Sequence, residues 1–148
     1  MADSQSLSRD QITEIIPHRD PFLWLDEVVE MTDSHIHARK LIKEDLDVFR
    51  GHYPDFPVLP GVLQLESCFQ AGAVLIGKSV PTEDGQVPVV TRVNNVQFRK
   101  MVRPGDTLDL EVDLEEQIAN AFMLKGKVSV NGKVTARLEF VCTAAPAG

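Results

Sequence analysis

The sequence predicts an α+β fold in which a curved, mostly antiparallel sheet wraps around one long central helix. Two observations predict it. Residues 62–76 form an apolar run with a single carboxylate, and its apolar side chains would point in nearly every direction around a helix axis. After residue 87 the chain shows the two-residue alternation of strands, with turn signals between the segments. A helix that is apolar all round is expected to be buried all round, and a curved sheet can cover it.

The elements follow one another without a repeat or a linker. Ser8 caps a first helix over residues 8–15, and Gln11 completes a capping box. Asn131-Gly132 is a two-residue hairpin signal between the last two strands. The remaining predicted elements are strands at 23–31 and 34–42, a Pro/Gly loop at 51–61, the main helix from 61 to about 78, a turn at 81–86, strands at 87–98, 107–114, 121–130 and 133–143, and a frayed end at 144–148.

These elements predict one domain over residues 1–148, because a chain of 148 residues is most simply one domain and is long enough to bury a real core. One helix inside a curved sheet of five or six strands is the hot-dog architecture. Such a sheet leaves edge strands and an apolar helix face near one end. We therefore expect a homodimer, since pairing would complete the burial.

The charge balance argues against nucleic-acid binding, because the formal net charge is −7. No apolar stretch reaches about 18 residues, so no membrane-spanning helix is predicted. The first ten residues are polar and lack the apolar core of a signal peptide. The predicted location is the cytoplasm.

No catalytic or metal-binding role is predicted for the cysteines or for three of the four histidines. Cys68 and Cys142 lack metal-ligand or redox spacing, so we expect two buried, reduced thiols and no metal. His35 and His37 have strand spacing without a third ligand, and we expect them to face solvent. His18, next to Arg19, is expected to brace a turn.

The loop over residues 51–61 carries three prolines and two glycines around His52, so its shape is strongly determined by sequence. Histidine is the commonest acid–base side chain near neutral pH, and a buried carboxyl group such as that of Glu66 favours its protonated form, which suits a general acid. Together they predict a proton-transfer site. The alternatives are an ordinary loop histidine and a glutamate that reaches a polar neighbour, a cation or the solvent edge.

Backbone and basic groups extend this candidate site. Gly61 opens the main helix, where free N–H groups and partial positive charge could form an oxyanion hole; the alternative is a simple helix-start turn. Gln70 lies four residues after Glu66, on the same side of the helix. A basic cluster predicts a dock for an acidic partner or a phosphate group, and the alternative is a solvated strand end. Its members are Arg99, Lys100 and Arg103.

Three segments carry a resemblance to a known family. Residues 16–23 read IPHRDPFL; residues 51–54 and 57–64 read GHYP and PVLPGVLQ, followed by Glu66; residues 96–100 read VQFRK, before PGD at 104–106. In this order, from residue 16 to about residue 110, they resemble the 3-hydroxyacyl-(acyl carrier protein) dehydratases of bacterial fatty-acid synthesis, the FabZ type. The resemblance implies a lyase of the hot-dog fold that converts (3R)-3-hydroxyacyl thioesters to trans-2-enoyl thioesters.

The resemblance also implies roles for individual residues. His52 and Glu66, fourteen residues apart, would be the catalytic pair, and the backbone N–H of Gly61 would polarise the thioester. The substrate would arrive on the phosphopantetheine arm of acyl carrier protein, which the basic cluster would dock, with no cofactor or metal. The chain would form a dimer or a trimer of dimers. The residues expected to line the acyl tunnel are Leu59, Val62, Phe69 and Gln70.

The sequence departs from the family pattern in two places. Phe69 stands where the family usually has a small residue, which bears on acyl length, and Asp20 replaces a common aromatic. Glu66, rather than the aspartate of the related dehydratase/isomerases, favours plain dehydration. Three other functions stay open: a hot-dog acyl thioesterase, a non-catalytic acyl-carrier binding module, and a dehydratase of another lipid or polyketide pathway.

Overall fold

The computed structural model describes residues 4–79 and 85–146 of the chain. Its strands are β1 (Gln5–Leu7), β2 (Glu27–Met31), β3 (His35–Leu41), β4 (Gln86–Phe98), β5 (Thr107–Ile118), β6 (Ala121–Val130) and β7 (Lys133–Pro146). Its helices are α1 (Arg9–Ile15), α2 (Gly61–Ser79) and a short 3-10 helix (Asp47–Arg50). The described strands pair antiparallel in the order β1-β2-β3-β5-β6-β7-β4.

The predicted wrap of the sheet around one central helix is confirmed. α2 contacts β3, β4, β5, β6 and β7. Along β5 the alternate side chains of Leu108, Leu110 and Val112 are fully buried. Burying each such side chain contributes about 1.5–3 kcal/mol to the free energy of folding. The buried side chains of β5 therefore stabilise the packing of the sheet against α2. The α2 side chains with no exposed surface are those of Ser67, Cys68, Gln70, Ala71, Val74, Leu75 and Ile76.

Two local signals are also confirmed. The hydroxyl of Ser8 accepts a hydrogen bond from the backbone N–H of Gln11, and the side-chain Oε1 of Gln11 accepts one from the backbone N–H of Ser8, which completes the capping box of α1. Asn131 and Gly132 have φ values of 51° and 78° between β6 and β7. A two-residue hairpin turn with positive φ at both positions matches the strand twist, and asparagine and glycine tolerate it best.

Parts of the predicted fold differ from the structure. There are seven described strands rather than five or six, because β1 was not predicted. The strand predicted over residues 23–31 begins only at Glu27, since residues 23–25 enter the core before the pairing starts. In the end predicted to be frayed, residues 144–146 pair with β4, and residues 147–148 lie outside the described residues. Residues 81–84 of the predicted turn lie outside the described residues.

The prediction that α2 is buried all round is wrong on the side that carries Val62 and Phe69. Val62 is 68% exposed, and Phe69 is only partly buried. The cause lies in β4, which is one of the two edge strands of the described sheet and pairs there only with β7. Every β4 side chain from residue 89 to 98 is exposed. An uncovered strand edge and an uncovered part of α2 therefore lie side by side, and the candidate site lies along them.

Candidate active site

The His52 ring is fixed by the loop that carries it. The backbone N–H of His52 donates to the Val48 carbonyl in the 3-10 helix (3.0 Å), and the Val58 N–H donates to the His52 carbonyl (3.1 Å). The ring Nδ1 lies 2.7 Å from the Val58 carbonyl oxygen. A carbonyl only accepts, so Nδ1 carries the hydrogen and Nε2 keeps its lone pair. The loop thus fixes the imidazole with Nε2 as its hydrogen-bond acceptor.

A cavity of about 470 Å³ opens beside this ring. Four residues predicted from the sequence line it, namely His52, Leu59, Gly61 and Val62. Arg99 and Lys100 of the predicted basic cluster line it as well. The structure therefore brings the loop histidine, the start of α2 and part of the basic cluster to one opening.

Phe98, at the end of β4, closes one side of this cavity and was not predicted as a site residue. A Cβ on Gly61 would lie 2.8 Å from the Phe98 ring, closer than real Cβ contacts allow. Glycine at position 61 therefore lets the ring pack directly on the helix start, where N–H groups lack partners within the helix. Only the tertiary contact between α2 and β4 reveals this role of Phe98.

Glu66 lies one turn further along α2 and is held by Gln70. The Gln70 Nε2 donates to Glu66 Oε2 (3.0 Å) and to the Phe22 carbonyl (2.8 Å), and the Gln70 Oε1 accepts from the Trp24 N–H (2.7 Å). All three bonds orient one buried amide, so it holds the carboxyl group in a fixed direction. Gln70 was expected to line an acyl tunnel, but its amide is fully buried and bonded to the segment before β2.

Glu66 faces a second cavity of about 330 Å³. Phe69 and Ala73 of α2 line it from one side, and Pro88, Val89 and Val90 of β4 from another. His52 and Glu66 thus line different cavities of one chain. The two cavities lie along β4, one at its Phe98 end and the other near Val89.

His18 also lines the Glu66 cavity, which the sequence did not indicate. Its Nε2 lies 3.9 Å from Glu66 Oε2. The turn that it was expected to brace is held instead by Arg19, whose guanidinium donates to the carbonyls of Thr13, Ile16 and His18. The His18 ring does not brace this turn and lies instead close to Glu66 of α2.

The basic cluster lies on the exposed surface next to the His52 cavity. Arg99 donates to the Gln97 side chain, and the Arg103 guanidinium lies 4.1 Å from the centre of the Phe56 ring. Lys100 is exposed. The cluster therefore presents positive charge beside the opening, while Arg103 also packs on the loop over residues 51–61.

The remaining histidines and the cysteines have structural partners or are buried. His35 and His37 lie on the outer face of β3, 2.7 and 2.8 Å from Asp113 and Asp109 of β5. Burial raises the pKa of both cysteine thiols to about 12. Among the described residues no group of three or more His, Cys, Asp or Glu side chains could hold a metal ion. Nor does any helix in the described part have the length and apolar character to cross a membrane.

The family model described as FabA-like domain matches residues 16–139, and the chain belongs to this family. It is 46% identical over 134 residues to a protein of Enterococcus faecalis named 3-hydroxyacyl-(acyl-carrier-protein) dehydratase FabZ, covering 90% of this chain and 94% of the relative. A protein of the same name from Petrotoga mobilis is 36% identical over 132 residues, covering 89% and 94%.

Solved structures with the same arrangement confirm the hot-dog fold. The dehydratase heterocomplex ApeI:P from Xenorhabdus doucetiae matches with a TM-score of 0.76 at 22% identity, over 90% of each chain. A hypothetical thioesterase with coenzyme A from Streptococcus pneumoniae matches with a TM-score of 0.64 at 12% identity, over 80% of this chain and 84% of the other. At these identities the likeness concerns the fold alone.

Proposed function

We propose that this protein removes water from (3R)-3-hydroxyacyl-(acyl carrier protein) thioesters to give trans-2-enoyl thioesters in fatty-acid synthesis, and is therefore a carbon–oxygen lyase. The observation that carries the proposal is the similarity of about nine-tenths of the chain to FabZ dehydratases. The orientation of His52 supports it, because a lone pair on Nε2 beside the start of α2 is suited to taking a proton next to a carbonyl group.

In the proposed reaction Nε2 of His52 takes a proton from C2 of the substrate. The Gly61 N–H donates to the thioester oxygen and stabilises the enolate charge that develops there. The electron pair of the broken C–H bond forms the C2–C3 double bond as the C3–O bond breaks. Glu66, protonated or through a bound water, gives the hydroxyl a proton, so water leaves. His52 then releases its proton, and Glu66 regains one.

We infer that two copies of the chain join along β4 and complete each site together. β4 is a 13-residue edge strand that exposes Val93, Val96 and Phe98, and such an edge is a template for pairing. In an antiparallel pair of β4 strands, the Phe98 end of one lies near the Val89 end of the other. The His52 cavity of one copy would then meet the Glu66 cavity of its partner.

The proposed substrate needs a carrier but no cofactor, because the species that leave are a proton and hydroxide. It would enter on the phosphopantetheine arm of acyl carrier protein, through the His52 cavity. Pairing along β4 gives a dimer, and a trimer of dimers is the larger assembly that the family resemblance implies. The single domain over residues 1–148 and the cytoplasmic location stay predictions.

A direct assay tests the proposed function. The protein is incubated with 3-hydroxyacyl and enoyl thioesters of several lengths, linked to acyl carrier protein or to pantetheine, and hydration and dehydration are followed. We expect interconversion of the two. Release of free acid and thiol would indicate a thioesterase instead, and binding without turnover a carrier-binding module. Turnover only on the carriers of another lipid or polyketide pathway would contradict the role in fatty-acid synthesis.

Reversing charge in the basic cluster should weaken carrier docking. We expect Arg99→Glu with Lys100→Glu to raise the KM for carrier-linked substrate by about 3- to 10-fold, because rim charges steer the encounter of two acidic proteins. Arg103 is left intact since it packs on Phe56. The KM for a pantetheine thioester should barely change. The increase in KM for the carrier-linked substrate should be smaller at high salt, because salt screens the attraction between exposed charges that are more than about 8 Å apart, or less as the salt concentration rises.

The control for this change is Lys133→Glu at the exposed start of β7, a single charge reversal with half the charge change of the double variant, at a residue that lines neither cavity. It should leave both KM values close to those of the wild type. Equal losses on the carrier-linked and the small substrate in the double variant would show that Arg99 and Lys100 act structurally and not as a dock.

Phe69 should limit the length of the acyl chain, because its ring lines the Glu66 cavity. We expect Phe69→Ala to shift preference toward longer chains, with each added methylene worth about 0.8 kcal/mol at most. The ring also packs edge-on against Phe140, with ring centres 5.1 Å apart. Stability should fall by less than the roughly 3–5 kcal/mol of a fully buried phenylalanine.

The two effects at position 69 are separated by measuring the melting temperature and the chain-length profile on the same samples. Phe69→Leu serves as the matched control, since it keeps most of the packing volume and should change both quantities less. A large loss of stability with an unchanged profile would mean that Phe69 belongs to the core alone.

A further inference from the structure

His18 is the polar side chain nearest to Glu66 across the smaller cavity. It stands in the segment between α1 and β2, and its Nε2 lies 3.9 Å from Glu66 Oε2. The two side chains are 28% and 22% exposed, so both are largely shielded by protein. His18 has no role in the proposed reaction steps, although its ring faces Glu66, the group that protonates the leaving hydroxyl.

The other ring nitrogen of His18 indicates which atom carries the hydrogen. Nδ1 is buried and has no hydrogen-bond partner among the described residues. Nothing there favours a hydrogen on Nδ1, whereas Nε2 faces a carboxyl group that accepts one. The tautomer of a histidine follows the partners of its two nitrogens, so Nε2 carries the hydrogen and is a donor directed at the cavity. This is the opposite of His52, whose Nδ1 donates to Val58.

A separation of 3.9 Å is too long for a hydrogen bond between His18 and Glu66, but it suits an oxygen held by both. Such an oxygen would lie about 2.8 Å from each atom. The other walls of this cavity are mostly apolar, formed by Phe69, Ala73 and β4. An oxygen in this cavity therefore finds its polar partners mainly at His18 and Glu66.

We propose that the Nε2–H of His18, together with Glu66, holds the hydroxyl oxygen that leaves C3 of the substrate. The inference rests on the proposed dehydration. When the C3–O bond breaks, its electron pair goes to oxygen, Glu66 supplies the proton, and the His18 N–H stabilises the charge that develops. His18 keeps its own hydrogen throughout, so the proton balance of the reaction is unchanged. His18 is by this argument a third catalytic side chain.

Two substitutions at position 18 distinguish the effect of losing the N–H donor from the effect of changing the size of the side chain. His18→Phe keeps a flat ring but removes the N–H, and His18→Gln keeps an N–H donor at a similar reach. Because Nδ1 has no partner, the phenylalanine variant breaks no hydrogen bond within the described protein and should fold. We expect kcat for dehydration to fall on the order of 10²-fold in His18→Phe, the scale for losing one aimed donor, and to stay within about fivefold in His18→Gln. KM should change little in either.

The control is His35→Phe on the outer face of β3, a histidine that lines neither the His52 nor the Glu66 cavity. It should keep full activity. Equal kcat values for His18→Phe and His18→Gln would overturn the inference, and so would near-wild-type activity of His18→Phe. If His18→Phe does not fold, the smaller donor-free variant His18→Leu is compared with His18→Gln by the same criteria. Failure of the wild-type protein to dehydrate any 3-hydroxyacyl thioester would instead refute the proposed function.

Discussion

Replacing His52 or Glu66 should lower dehydration turnover by a factor on the order of 10² or more, the usual scale of lost acid–base catalysis. His52→Ala removes the proposed base, and Glu66→Gln removes the proposed acid while keeping the shape of the side chain. The fold should persist in both variants. The comparison measures kcat and the melting temperature of each variant against the wild type.

A finer variant isolates the reacting nitrogen of His52. His52→Asn can still donate to the Val58 carbonyl, the bond that Nδ1 makes in the wild type at 2.7 Å, but it has no group in the place of Nε2. We expect it to be as inactive as His52→Ala and more stable. If His52→Asn or Glu66→Gln kept nearly full activity, the corresponding side chain would not be catalytic.

The sequence predicted those parts of the fold whose signals are local. The apolar run that predicted a long helix at α2, the alternation of Leu108, Leu110 and Val112, and the Asn131-Gly132 turn are each visible within one short segment, and all three elements are confirmed. The short strand β1 and the last residues of β7 have no such period. They are strands because β2 and β4 lie beside them, and sequence patterns do not show which segments become neighbours.

In the candidate site, too, the sequence predicted the features that depend on nearby residues and missed those that depend on tertiary packing. The Pro/Gly loop places His52 close to Gly61 in sequence, and the structure brings both to one cavity. The approach of Phe98 to Gly61 and of His18 to Glu66 depends on how distant segments pack, so no local pattern predicted either contact. The sequence indicated Glu66 and Gln70 as neighbours on one helix face, but only the packing shows that the segment before β2 orients the amide.

Because His52 and Glu66 lie in two separate cavities of one chain, we expect two inactive variants to recover activity when they form a heterodimer. If each site joins His52 of one copy to Glu66 of its partner, a dimer of the chain has two such sites. A heterodimer of one His52→Ala chain and one Glu66→Gln chain would contain one doubly substituted site and one intact site. It should recover about half of the wild-type activity per dimer, although both parent homodimers are nearly inactive.

Two differently tagged chains, co-expressed and purified through both tags in turn, provide the heterodimer without either homodimer. The matched control carries both substitutions on one chain and none on the other. Its two sites each hold one defect, since each takes one residue from the substituted chain, and it should be nearly inactive. Sites contained within single chains predict the reverse, with no recovery in the first heterodimer and half activity in the control. A shared site predicts activity in the first heterodimer and almost none in the control, and a site within one chain predicts the opposite. Comparing the two heterodimers therefore decides between a shared site and a single-chain site.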